Sequence, residues 1–421
     1  MPMDGRVFVH FLRHAHKILE PPPEAQEKLL PAPDTTVAKL LAFRFPVTYS
    51  TEMVLDAREF IHEDQPTITD PGIICRIPSP PHNLLQAIAK LLLSNCESGK
   101  NMSIVCPHIQ RSSEHRLPPW VVTYWFEVEE IRTKYYDPWQ KAIKAAKQRQ
   151  QTLQAKASAA AGASQAKEEL FQDIEKLIRE IKFQEKLRGF ERDTESVGTL
   201  TTYMTNDWFS TAHENQMLEV LRREVHADNV LRERVEIVDV HIFSMIKCLY
   251  TKRKTDAYWT TRYAKPIRKL GEALASGKKD IMGGIINIDN LHWASVFIDF
   301  RKKIILYGDS QGNPAPTSFI RSMDWWTTLH TSDGFRYDAL EITYQTDGHS
   351  CGILAYNALA HAINPRENPL VEMDNVADKR LEMMSKISRI HLLNVSKMLI
   401  ITEQRTHCAS EPFRFCTPIH Q

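Results

Sequence analysis

Cysteine is scarce in this sequence. Seven occur in 421 residues, an odd number, and their spacing shows no pairing. A disulfide framework is excluded, and a reducing compartment, nucleus or cytoplasm, is expected. Also missing is any run of roughly 18 apolar residues, the least a membrane span needs, so no membrane partner is expected. The amino terminus, Met1-Pro2-Met3-Asp4-Gly5-Arg6, lacks the basic start and long apolar segment of a secretory signal. Charge imbalance is absent too. Fifty-three Lys and Arg against 52 Asp and Glu leave a formal net of +1. No global field selects nucleic acid or an anionic surface, so a nucleic-acid partner is not expected, although local patches remain open. No internal repeat is visible.

What is present is ordinary for a globular chain: 43% apolar and 25% charged residues, with length for two or three domains. Residues 1–137 form an amino-terminal region rich in proline and charge at its start, where Pro21-Pro22-Pro23 interrupts the first apolar segment. Leu84 to Leu93 reads as a helix, and the aromatic stretch Trp120 to Phe126 should be buried. Residues 138–195 are dominated by Ala, Gln, Lys and Glu, all good helix formers. There Leu170, Ile174, Leu177 and Ile181 make an apolar stripe too short for a confident coiled coil. The region reads as a solvated helical linker or hairpin, with a partner-binding stripe as the alternative. Residues 196–405 make a further domain and 406–421 a tail.

The second half is patterned differently. Strands are expected over Val235–Val240, Gly284–Asp289, Ala294–Phe300, Lys303–Tyr307 and Ala339–Tyr344, with a hairpin turn at Arg301-Lys302. Helices are expected over His241–Tyr250, from Cys351 to before Pro365, and over Glu372–Ile401. Trp325-Trp326 sits in a helical segment as core. Helices around a small sheet give an α+β fold class.

Along this half run His292-Trp293 between two strands, Asp309 after the next strand, Gln345 after another, and Cys351 just before an apolar helix. Each type has a use. A helix start carries free N–H groups and a positive dipole end, which favours a thiolate there. An imidazole can pair with the thiol and later protonate a leaving amine. A carboxylate fixes the imidazole tautomer. A side-chain amide, with the Cys351 N–H, can hold an oxyanion, and Gly352 allows close backbone approach. Singly, each has a plainer reading: a buried thiol, a packed His, a turn cap, a loop amide. Their order along the chain is what points to a cysteine nucleophile.

The stretch His292-Trp293, Gly308-Asp309-Ser310 and Gln345-Thr346-Asp347-Gly348-His349-Ser350-Cys351-Gly352 resembles the ubiquitin-like-protein protease family. These are the SUMO-specific and related cysteine peptidases, in the clan of the adenovirus protease. Asn206-Asp207-Trp208-Phe209-Ser210, with the helical Glu214 to Leu221, resembles the family's entry motif less closely. Ser350 stands where the family usually has Asp, and Phe209 where Leu is usual. The resemblance spans about 160 residues. It implies a papain-like fold with a small mixed sheet flanked by helices, behind a mainly helical amino-terminal region. Cys351 would then be nucleophile, His292 base and acid, Asp309 its orienting carboxylate and Gln345 the oxyanion donor. Trp293 would roof a tunnel for a Gly-Gly tail, and Asp207, Trp208 and Gly352 would contact the substrate. The implied partner is a ubiquitin-like modifier, SUMO first, and its conjugates, and no cofactor is implied. Two other readings stand beside it: a clan-related acetyltransferase using coenzyme A, and an inactive module that binds a modifier.

Elsewhere, Cys96, Cys106, His108 and His115 lack paired short spacing, and no metal is expected. Lys252-Arg253-Lys254 and Lys278-Lys279 read as solvated surface, with nuclear import or an acidic partner as alternatives. Cys408 and Cys416 read as free thiols in the tail.

Overall fold

A computed structural model describes residues 19–49, 56–96, 102–105, 115–157, 161–190 and 194–409. The chain divides into two compact units, 1–141 with 178–185 and 142–177 with 186–421. Cys106, His108 and Cys416 lie outside the described residues, as do the side chains of Cys96 and Cys408.

In the first unit, helices α1 (Pro23–Leu29), α2 (Val37–Ala42), α3 (Pro71–Ile74), α4 (His82–Cys96) and α5 (Val121–Ile131) accompany a small antiparallel sheet of β1 (Ile61–His62), β2 (Ser103–Val105) and β3 (Arg116–Leu117). The expected aromatic burial is met, because Trp125 and Tyr124 on α5 join Phe60, Ile88 and Ile104 in one core.

Two long helices follow, α6 (Asp137–Ala157) and α7 (Ala161–Glu180). They are not a solvated pair. Of the expected stripe, Ile174, Leu177 and Ile181 are buried and Leu170 is half-buried. Within the second unit, Arg149 and Lys167 both pair with Asp378 at 2.9 and 2.8 Å, and Asp173 accepts from Ser385 at 2.5 Å.

The second unit continues with α8 (Leu200–Tyr203), α9 (Thr211–Ala227) and α10 (Asn229–Arg234), then β4 (Val235–Ile237), α11 (His241–Thr251), α12 (Ala257–Thr260) and α13 (Lys265–Ala275). After these come β5 (Ile281–Ile288), β6 (His292–Asp299), β7 (Ile304–Gly308), α14 (Thr317–Thr331), β8 (Arg336–Ala339), α15 (Cys351–Ile363) and α16 (Val376–Ala409). The five strands run in the order β4-β5-β6-β7-β8, parallel at both edges and antiparallel in the middle. The sheet is therefore mixed and the architecture α+β.

Strand residues alternate between faces. Ala294, Val296 and Ile298 of β6 enter a core with Phe243, Ile246, Met323 and Trp326 from α11 and α14. On the opposite face a side chain at Gly283 would meet Leu359 of α15. The helix that begins at Cys351 thus lies across the back of the central strands.

Two boundaries differ from the sequence reading. His292 and Trp293 open β6 instead of lying between strands. The last expected strand, Ala339–Tyr344, lies earlier in the chain, at Arg336–Ala339, and pairs with Ile304 to Tyr307. Arg336-Tyr337-Asp338-Ala339 is mostly exposed, as befits an edge strand whose pairing, not apolar pattern, defines it. Helix α16 also runs past the expected boundary at 405, to Ala409.

Candidate active site

The site starts with a turn. Asp289 and Asn290 both have positive φ, 52° and 61°, and Leu291 N–H closes the turn on the Ile288 carbonyl at 2.9 Å. Asn and Asp tolerate this left-handed backbone better than most residues. The turn sets His292 as the first residue of β6.

Asp309 follows β7, the neighbouring strand. Its Oδ1 accepts from His292 Nε2 at 2.8 Å and from the Gln311 N–H at 2.7 Å. With the carboxylate as acceptor, Nε2 carries a proton, and Nδ1 is the nitrogen that gains or loses the second one. Burial works against charge on His292. The Asp309 carboxylate and the nearby Cys351 sulfur outweigh it and raise the ring's pKa to about 9. Burial also opposes charge on Asp309, but the His292 and Gln311 bonds hold its pKa below the ordinary carboxylate value.

Cys351 is buried and is the first residue of α15, where backbone N–H groups have no partners within the helix. The loop before it is held by its own polar groups. Asp347 Oδ1 accepts from the N–H of His349 and of Ser350, each at 2.9 Å, and Oδ2 accepts from the Ser350 hydroxyl at 2.6 Å. These bonds keep the Asp347 carboxyl below its ordinary pKa despite burial. A carboxylate therefore serves this turn from three positions upstream of Ser350.

Gln345 is anchored to the loop after β7: its N–H donates to the Ser310 carbonyl at 2.8 Å and its Oε1 accepts from the Ser310 hydroxyl at 2.7 Å. Its Nε2 donates to the Asp347 carbonyl at 2.8 Å. The second hydrogen of that amide has no partner among the described residues.

The entry segment is clamped from two sides. The Trp293 indole N–H donates to the Phe209 carbonyl at 2.9 Å, and the ring is buried. Arg380, on α16, donates through Nη2 to the carbonyls of Thr202 and Asp207, both at 2.7 Å. Its guanidinium also lies 4.0 Å over the Phe209 ring, and burial lowers its pKa to about 10. Asp207 Oδ2 accepts from the Thr205 hydroxyl at 2.8 Å. Trp208 is 49% exposed.

Gly352 faces inward. A Cβ there would come 2.1 Å from Glu214 Oε1 and 3.1 Å from the Phe209 ring, so its lack of a side chain serves interior packing. Glu214 on α9 is fully buried, and neither of its carboxyl oxygens has a hydrogen-bond partner among the described residues. Burial pushes its pKa well above the ordinary 4.5, Cys351 adds to the rise, and Arg380 pulls against it. These surroundings favour the protonated carboxyl beside the nucleophile helix. Sequence reading missed Asp347, Glu214 and Arg380 as parts of this neighbourhood. Asp347 was at least signalled by its place three residues before Ser350, the spacing of an Asx-type turn.

Residues 207–392 match the family model described as the Ulp1 protease family, C-terminal catalytic domain. A search of curated proteins finds no match. Among solved structures, the yeast Ulp1 protease domain in complex with Smt3, the yeast ortholog of SUMO, is 17% identical. That match covers 53% of this chain and 95% of that one, with a TM-score of 0.40. A de-sumoylating protease is 14% identical, over 52% of this chain and 95% of that one, at 0.38. The Xanthomonas campestris effector XopD bound to ubiquitin is 17% identical, over 42% and 92%, at 0.29. The matched span holds His292, Asp309, Gln345 and Cys351, and over residues 207–392 this chain is similar to the catalytic domain of the Ulp1 protease family.

Proposed function

We propose that this protein is a cysteine isopeptidase that cleaves after the Gly-Gly tail of a ubiquitin-like modifier, with SUMO the first modifier to test. The observation that carries the reading is the His292–Asp309 pair at 2.8 Å, set beside a cysteine at the start of a buried helix.

In this reading the Cys351 sulfur attacks the carbonyl carbon of the terminal glycine while His292 Nδ1 holds the thiol proton. The oxyanion takes hydrogen bonds from the Cys351 N–H and the free N–H of the Gln345 amide. His292 then gives its proton to the departing lysine amine, and a thioester remains on Cys351. Water, deprotonated by the same imidazole, releases the modifier's carboxylate and restores the thiol. Asp309 steadies the imidazolium throughout. The exposed Trp208, Leu291 and Tyr344 adjoin Phe209, His292 and Gln345 in the chain. They are the apolar surface on which the modifier's tail would lie.

The test is reaction of the purified chain with SUMO, NEDD8 and ubiquitin, each ending in a thiol-reactive group, read by intact mass. One adduct per chain is expected with at least one modifier, and none in Cys351→Ala. An adduct that persists in Cys351→Ala overturns the assignment of the nucleophile. A reactive Cys351 that captures no modifier overturns the substrate class.

A further inference from the structure

We infer that the segment from Lys247 to Lys269 is a binding surface for single-stranded nucleic acid, separate from the candidate active site. The chain's formal charge is +1, yet these 23 residues hold eight Lys and Arg against a single acidic residue, Asp256. The near-neutral total conceals a local charge of +7.

Lys247, Lys252, Arg253, Lys254, Arg262, Lys265 and Lys269 are exposed, and none of them makes an ion pair among the described residues. Several other cations of this unit do find carboxylates. Arg234 pairs with Asp280 at 2.9 Å, Lys303 with Asp333 at 2.6 Å and Lys386 with Glu224 at 2.6 Å. A surface that only needs solvating has no reason to collect unpaired cations in one place, since their mutual repulsion opposes folding.

Aromatic rings lie among the charges. Trp259 is 54% and Tyr263 50% exposed, so both rings are open to a partner. Trp259 is braced edge-on by the buried Tyr258, with ring centroids 5.1 Å apart. Tyr258 in turn is tied to Trp326 of the core by a 3.2 Å hydrogen bond. Arg253 stacks over Tyr250 at 4.0 Å. The end of α11, all of α12 and the start of α13 thus present braced rings interleaved with free cations.

That combination favours one partner. Phosphates take the cations, and unpaired bases stack on the rings. A duplex hides its base faces and could use only the charge. An acidic polypeptide would use the lysines but has no need of Trp259 and Tyr263.

The experiment is fluorescence anisotropy of a labelled 20-nucleotide oligo-dT, and of its oligo-U counterpart, with the full chain from 50 to 200 mM salt. Binding of either strand is expected, with a log–log salt slope of about −0.7 per phosphate engaged, hence about −3 to −5 overall. Trp259→Ala should weaken it about fivefold or more. The triple reversal Lys252→Glu, Arg253→Glu, Lys254→Glu should remove it while the reactivity of Cys351 stays unchanged, which controls for folding. No binding at 50 mM salt overturns the inference. So does equal affinity for a duplex of the same length, or binding indifferent to Trp259→Ala and displaced equally by polyglutamate. The last result would make the partner an acidic polypeptide. None of these outcomes bears on whether Cys351 is a nucleophile.

Discussion

The first turn of α15 has two unlike sides. On one, toward β6 and β7, polar side chains bond to one another, His292 with Asp309, Gln345 with Ser310, and Asp347 with Ser350, while His292 Nδ1 is left without a partner among the described residues. On the other, toward α9 and α16, a buried carboxyl has no hydrogen-bond partner among the described residues, and neither have Nε and Nη1 of Arg380. The matched side is built from bonds between neighbouring strand ends and loops, so its geometry is fixed atom by atom. The unmatched side is held by packing around Gly352 and Phe209 and carries the cost of desolvation. Conservative polar changes should therefore act on chemistry on the first side and on stability on the second.

The largest expected effect lies on the matched side. Asp309→Asn keeps the shape but removes the charge that holds the His292 proton. A fall of about 10³–10⁴-fold in the rate of cleavage is expected if Asp309 orients the base. Raised above 6.5, the His292 pKa stabilises the fold below that pH, and this contribution is lost as pH climbs through about 9. The imidazolium that partners the thiolate disappears over the same range. Wild-type activity should then decline near pH 9, and Asp309→Asn should move that decline to lower pH. The pH–rate profile, with an NMR titration of His292, checks both. An unmoved ring pKa would show that the 2.8 Å contact does not govern the base.

Next in size is Gly352→Ala. The added methyl must displace Glu214 Oε1 or the Phe209 ring, so a loss of about 2–3 kcal/mol in unfolding free energy is expected. The double variant with Glu214→Ala should recover part of it, because the clash and its cause are removed together. Denaturant titration of the four proteins gives the coupling. If the losses simply add, Glu214 is not what makes glycine necessary.

These two sides also differ in how well the sequence shows them. His292, Asp309 and Cys351 are legible because each lies at the end of a regular element, and Gln345 because it stands at a fixed distance before Cys351 in the same short motif. The hairpin turn at Arg301-Lys302, the central strands and the nucleophile helix were legible from the same local pattern. Arg380 was not. It lies in Asp378-Lys379-Arg380-Leu381-Glu382, a charged run that looks solvated, and only the packing of α16 buries it. Glu214 sits in a helix whose neighbours His213 and Asn215 give no hint of an apolar site. The edge strand β8 was placed too late because Leu340 to Tyr344 has the better apolar alternation, whereas hydrogen bonding to β7 selects the polar stretch before it. The stripe of α7 was seen but not its burial, since periodicity shows that a face is apolar and not what covers it.

The smallest expected effect is the most direct test of the unmatched side. Glu214→Met replaces a buried, unbonded carboxyl with an apolar chain of similar volume. Unfolding free energy at pH 7–8 should rise by about 1–3 kcal/mol, the usual cost of an unsatisfied buried polar group. The gain should depend on pH in a set direction. Glu214 has a folded pKa above its ordinary 4.5, so its folded state holds the proton more tightly than the unfolded chain. Its contribution is fully present below pH 4.5 and is lost as pH rises toward the folded value. The advantage of Glu214→Met over wild type should therefore be smallest near pH 4 and grow through neutrality. Chemical denaturation at pH 4, 6 and 8 measures it. A variant that is less stable than wild type at pH 8 would mean that Glu214 is ionised there and held by Arg380. The unmatched side would then be a charge pair at longer range, and the contrast between the two sides of α15 would be one of distance, not of protonation.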